Sequence, residues 1–83
     1  AVVLAGDFNL LPDSRAFARF AASGLRDLVT GRGFQDTRTA LYEKPGRFAD
    51  YCLVNDRVAV RGFDLPAQPI LSDHRPMILD IAV

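Results

Sequence analysis

Apolar positions divide the chain into blocks of different period. Ala1-Val2-Val3-Leu4-Ala5 is a continuous apolar run, which predicts a strand covered on both faces, in the middle of a layered structure. Gly6 to Asn9 reads as the turn that follows. Pro12-Asp13-Ser14 opens a helix with Asp13 as its N-cap, and Ala16, Phe17, Phe20 and Ala21 form an apolar stripe at helical spacing. Gly24 is placed to end that helix. A second helical piece carries Leu25, Leu28 and Val29 inward until Gly31-Arg32-Gly33 breaks the pattern. Residues 34–47 show no period, and Lys44-Pro45-Gly46 is a turn signal, so this stretch reads as a long loop. Three strands follow, at Phe48 to Val54, Val58 to Phe63 and Met77 to Val83, the last two separated by a stretch punctuated by Pro66 and Pro69. The expectation is an α+β arrangement, with one mostly antiparallel sheet and one or two helices.

Length changes this picture. A chain of 83 residues holds one small domain at most, and it can hardly supply covers for both faces of a central strand. The chain is therefore expected to be part of a larger domain. A hydrophobic fraction of 49% argues for a packed globule, and no apolar run approaches the roughly 20 residues that span a bilayer. No internal repeat, low-complexity tract or targeting segment is visible, and location in the cell stays open. Ten basic residues balance ten acidic ones, so nucleic acid is not a partner that the charge points to. Cys52 is the single cysteine and reads as a small core residue; an internal disulfide or cysteine-rich zinc cluster is excluded. His74 is the single histidine and Glu43 the single glutamate.

Three places set acids against apolar neighbours. In Gly6-Asp7-Phe8-Asn9, an extended backbone would put Asp7 and Asn9 on one side at the end of the first strand, where layered folds present reactive groups. An ordinary Asx turn accounts for the same residues. Asp50 shares a strand face with Phe48, Cys52 and Val54, and a carboxylate buried there needs a donor. Arg47, Arg57, Arg61 and His74 are the candidates. Ser72-Asp73-His74-Arg75-Pro76 leads into the last strand, with an anion beside an imidazole that exchanges a proton near neutral pH. A plain loop-to-strand junction is the alternative.

Taken together, Gly6-Asp7-Phe8-Asn9, Asp50-Tyr51 opening an apolar strand, and Ser72-Asp73-His74-Arg75-Pro76 before the final strand resemble the C-terminal half of the endonuclease/exonuclease/phosphatase superfamily. The resemblance implies half of a four-layer α/β-sandwich, two sheets flanked by helices. It further implies a metal-dependent phosphoesterase that hydrolyses a phosphodiester or phosphomonoester by attack of an activated water, with Mg²⁺ or Mn²⁺ as cofactor. Asp7, Asn9, Asp50 and His74 would be its catalytic residues. Asp7 would orient or deprotonate the water, and Asn9 would hold that water or a phosphoryl oxygen. Asp50 would fix the His74 ring and favour the imidazolium. Asp73, with Asp7, would reach the metal.

The resemblance also marks what residues 1–83 lack. The family site needs a metal-binding Glu, an Asn and a second His from its N-terminal half, and Glu43 stands in the wrong context. Read this way, the chain is a C-terminal portion without its N-terminal half, inactive on its own and completed by that half in cis or by self-association. The competing reading is a non-catalytic binding or scaffold fragment. The substrate could be DNA, RNA, a lipid or a small phosphoester, and Arg15, Arg19, Arg38 and Arg47 could line a phosphate groove.

Overall fold

A computed structural model of the chain describes residues 1–82. Seven elements occur in the order β1 (Val3–Asp7), α1 (Ala16–Ala22), β2 (Arg26–Asp27), α2 (Leu28–Gly31), β3 (Asp50–Val54), β4 (Ala59–Asp64) and β5 (Ile78–Ala82). The α+β expectation holds, with two sheets where one was expected. All pairing is antiparallel, divided between a three-stranded sheet in the order β1-β3-β2 and a two-stranded ladder of β4 with β5. Val83, expected at the end of the last strand, lies outside the described residues.

The strand buried on both faces is β3, not the N-terminal run. Every residue of β3 is buried, whereas Val3 and Leu4 of β1 are 45% and 40% exposed. The reason is position. β3 lies between β1 and β2 and meets α2, while β1 is an edge that pairs with β3 alone and that neither helix covers. A continuous apolar run does not distinguish the two places.

Both helices stop where glycines were expected to stop them, by one mechanism. Gly24 and Gly33 adopt φ of 80° and 81°, a left-handed conformation that costs a glycine little. Each donates its N–H to the carbonyl three residues back, Ala21 and Thr30, and the following residue, Leu25 or Phe34, donates to the carbonyl five back, Phe20 or Val29. This pair of bonds satisfies carbonyls that the helix end leaves free. The start of α1 differs from expectation. Asp13 does not cap it; Leu11 to Ser14 form a turn, and the Ser14 hydroxyl accepts from Ala16 N at 3.3 Å. The helix thus begins two residues later, and Ala21 is exposed while Phe17 and Phe20 face inward. Asp27 caps α2, accepting from Val29 N at 2.8 Å and Thr30 N at 3.3 Å.

The core forms around β3. Tyr51, Cys52, Leu53 and Val54 pack with Val29 and Leu28, and with Val58, Phe63 and Leu65 from the β4 side. Phe8 and Phe17 lie against the Tyr51 ring with centroids at 5.7 and 4.6 Å, and the Tyr51 hydroxyl donates to Leu10 O at 2.7 Å. Cys52 is a core residue as expected, and burial pushes its thiol up, with Asp27 adding to the effect.

The stretch 34–47 is better ordered than its lack of period predicts. Thr37, Arg38 and Thr39 are buried. Arg75 N donates to Thr37 O at 2.9 Å and Thr39 N to Asp73 O at 3.0 Å, which makes an antiparallel bridge between Arg38 and His74. The Thr37 hydroxyl accepts from Ala49 N at 3.0 Å and Asp50 N at 3.3 Å, tying this bridge to the start of β3. Thr37→Val therefore strands two buried N–H groups and is expected to lower stability by about 1–3 kcal/mol in urea unfolding. An unchanged midpoint would show that the hydroxyl does not carry the junction.

Candidate functional site

The site is built on strand register. Asp7 ends β1 and Asp50 begins β3, and the two are direct cross-strand partners. Side chains of such a pair emerge on one face, and two like charges there repel unless another group comes between them or near them. His74 does so. Its Nδ1 lies 2.8 and 3.1 Å from the two Asp50 oxygens, and its Nε2 lies 3.9 Å from Asp7 Oδ2. The donor for buried Asp50 is thus His74, and not Arg47, Arg57 or Arg61.

His74 is delivered by the bridge to Arg38. Its own N–H donates to the Ser72 hydroxyl at 3.2 Å, and the Thr39 hydroxyl donates to Ser72 O at 2.5 Å, so the turn before β5 is held from two sides. Arg38 NH1 then meets His74 Nε2 at 3.1 Å. An arginine can only donate, so Nε2 is the acceptor and the ring proton is on Nδ1, bonded to Asp50.

Asn9 departs from the extended geometry that the spacing implied. Its φ is 51°, and its N–H donates to Asp7 Oδ1 at 2.9 Å and to Ala49 O at 3.3 Å. The turn holds one Asp7 oxygen and leaves Oδ2 toward His74. Asp73 reaches the group from the other loop, with Oδ1 at 3.8 Å from His74 Nε2 and Oδ2 at 3.6 Å from Arg38 NH1. One ligand atom from each of Asp7, Asp50 and His74 lies within 4.8 Å of the others.

Sequence reasoning missed Thr37 as the residue that ties the two loops; of the arginines it grouped with Arg38, Arg47 lies beside it over the Tyr42 ring. Arg15, the residue before α1, and Arg19, within it, are exposed. Arg47 is consumed: its Nε bonds Asp36 at 3.0 Å, and its NH1 and NH2 bond Tyr42 O and Thr39 O at 2.6 and 3.0 Å. No periodic signal marks Asp36-Thr37-Arg38-Thr39, because its order comes from long-range pairing.

A model of the Endonuclease/Exonuclease/phosphatase family matches residues 1–74. The chain belongs to this family. The match spans Asp7, Asn9, Asp50, Asp73 and His74, so every residue of the cluster lies inside the family region. No curated protein and no solved structure matches the chain. Family members act on phosphoesters, typically with a divalent metal. Among the described residues no helix is long and apolar enough to cross a membrane.

The donor set can be tested against such a metal. Mg²⁺ and Mn²⁺ take oxygen ligands, and Mg²⁺ is commonly held by one or two carboxylates, completed by water and substrate phosphate. Asp7 and Asp73 offer carboxylate oxygens on side chains 49% and 46% exposed, although the three groups whose ligand atoms converge are Asp7, Asp50 and His74. Asp50 turns both oxygens to His74 Nδ1, and Nε2 faces Arg38, so these two serve the site differently. Carboxylate oxygens are the donor type that a hard cation takes.

Proposed function

We propose that the chain carries the water-activating part of a divalent-metal-dependent phosphoesterase site that hydrolyses a phosphodiester or phosphomonoester. The observation behind this reading is the Asp50 clamp on His74 Nδ1, which leaves Nε2 3.9 Å from Asp7 Oδ2. A single water can hydrogen-bond both atoms across that gap. Asp7 orients the water through Oδ2, while Asn9 N–H holds Oδ1 in place. His74 Nε2 takes a proton from the water as its oxygen bonds to phosphorus. The bond from phosphorus to the leaving oxygen breaks with its electron pair, and that oxygen gains a proton from solvent.

Asp7 would hold Mg²⁺ or Mn²⁺, with Asp73 reaching it directly or through water, and the ion when bound neutralises charge on the phosphoryl oxygens. The chain has one His and one Glu, and Glu43 is outside the cluster. Further polypeptide is therefore proposed to supply the remaining ligands, packing beside the exposed Val2, Val3 and Leu4 edge. A mostly apolar cavity of about 280 Å³, bounded by Pro69, Leu71, Ser72, His74, Arg75 and Pro76, adjoins the ring and could take the substrate's organic part.

The test is hydrolysis of a chromogenic phosphodiester by the chain joined to the coding sequence upstream of it, with Mg²⁺. Activity is expected to vanish with a chelator, return with Mg²⁺ or Mn²⁺, and fall about 100-fold or more in Asp7→Ala. Hydrolysis that persists through chelation or through Asp7→Ala would overturn the reading.

A further inference from the structure

Arg38 is a buried cation with unused hydrogen-bonding capacity. Its side chain is 8% exposed, and its Nε is buried without a partner. The guanidinium lies over the Tyr42 ring at 3.9 Å, which fixes its plane. NH1 is directed at the cluster, 3.1 Å from His74 Nε2 and 3.6 Å from Asp73 Oδ2. A buried charge is usually retained with more bonding than this. Arg47 on the same loop shows the contrast, since all three of its nitrogens are bonded. Arg75 is also engaged, through Arg38 O at 2.8 Å and Asp36 at 3.8 Å.

The charge balance gives this arrangement a meaning. Asp7, Asp50 and Asp73 place three carboxylates around one imidazole, and Arg38 is the arginine that touches the group. An anionic phosphoryl group entering beside His74 would meet net repulsion from the carboxylates without it. Guanidinium geometry suits phosphate oxygens, and the burial of Arg38 strengthens the attraction.

We propose that Arg38 is a phosphoryl-binding residue of this site, resting on His74 Nε2 until a phosphoryl oxygen replaces that nitrogen as the acceptor of its NH1. The inference rests on the phosphoesterase reading and deepens it. Its consequence is an order of events: the phosphoryl group draws Arg38 away, and only then is the Nε2 lone pair open to the water. An empty site keeps its base occupied.

Inorganic phosphate is the probe, titrated into the chain while the His74 ring nitrogens are followed by ¹⁵N NMR. Phosphate should bind and move the Nε2 signal. Arg38→Met, which keeps bulk over Tyr42 but removes the charge, should weaken phosphate about 10- to 100-fold. Arg38→Lys should recover part of the loss, and free guanidinium should restore phosphate binding to Arg38→Ala. Arg61→Met, on an exposed β4 position, should bind as the parent does. A role in packing alone predicts lower thermal stability in Arg38→Met with phosphate affinity unchanged, and that result would overturn the proposal, as would absence of phosphate binding in the parent. The two readings separate cleanly. Arg38-dependent phosphate binding in a protein that hydrolyses no phosphoester supports Arg38 and sinks the hydrolytic reading. Metal-dependent hydrolysis with phosphate affinity indifferent to Arg38 does the reverse.

Discussion

His74→Ala is expected to lower the proposed phosphoester hydrolysis by about 10²- to 10⁴-fold, the range for removal of a positioned proton acceptor. The loss comes without a comparable loss of fold, because the His74 ring is about one-third exposed and its backbone, not its side chain, forms the bridge to residue 38. Asp50→Asn produces a related but separable result. The amide can turn its NH2 to Nδ1 where the carboxylate could only accept; the ring proton then moves to Nε2 at the expense of the Arg38 contact, and the nitrogen proposed to face the water loses its lone pair. Activity should fall while circular dichroism stays native, and ¹⁵N shifts of the ring should report the exchanged tautomer. An Asp50→Asn protein with parental turnover, or with an unchanged tautomer, would show that the clamp does not set the chemistry.

Tyr51→Ala carries the largest expected stability loss, about 3–5 kcal/mol by comparison with other buried aromatic truncations. A domain of this size is stabilised by roughly 4–12 kcal/mol, so the variant stands near the limit of folding. The ring has no exposed surface, touches Phe8 and Phe17, and ends in a hydrogen bond to Leu10 O. The phenol adds a pH signature. Burial first, then Asp27, Asp13 and Asp50, push its pKa up to about 12 from 10.0. An unfolded chain therefore releases this proton earlier than the folded one. The stabilising contribution is complete below pH 10 and is lost progressively as pH rises from 10 to about 12. Tyr51→Phe should remove that share of the alkaline decline, measured by denaturant midpoints across the window. An identical decline in Tyr51→Phe would place its origin elsewhere.

How much of this was legible depends on range. Gly24 and Gly33 were readable as helix ends because the signal is local: a left-handed residue followed by a short bond pattern. Asp50 was readable as a problem, since a carboxylate within an apolar strand demands a donor, and the Ser72-Asp73-His74 motif put His74 among the candidates. The exposure of β1 was not readable, because five apolar residues look alike on an edge and in a centre, and neighbours decide. Asp13 failed as a cap because the turn at Leu11 to Ser14 competes for the same residues. Thr37 and Arg38 were hidden for a further reason. Their order depends on pairing with residues 73–75, about 36 positions away for the Arg38–His74 contact, and no window along the chain contains both partners.

The register of β1 on β3 works as a ruler. Asp7 is opposite Asp50 only while Val3 is opposite Val54, so the ladder from edge to tip sets where the two carboxylates meet. A one-residue insertion within either strand would turn alternate side chains to the opposite face and bring Gly6 or Phe8 to the position of Asp7. Residue identity along β1 is thus freer than residue count: its exposed apolar positions can drift in type, while the number of steps between its start and Asp7 cannot.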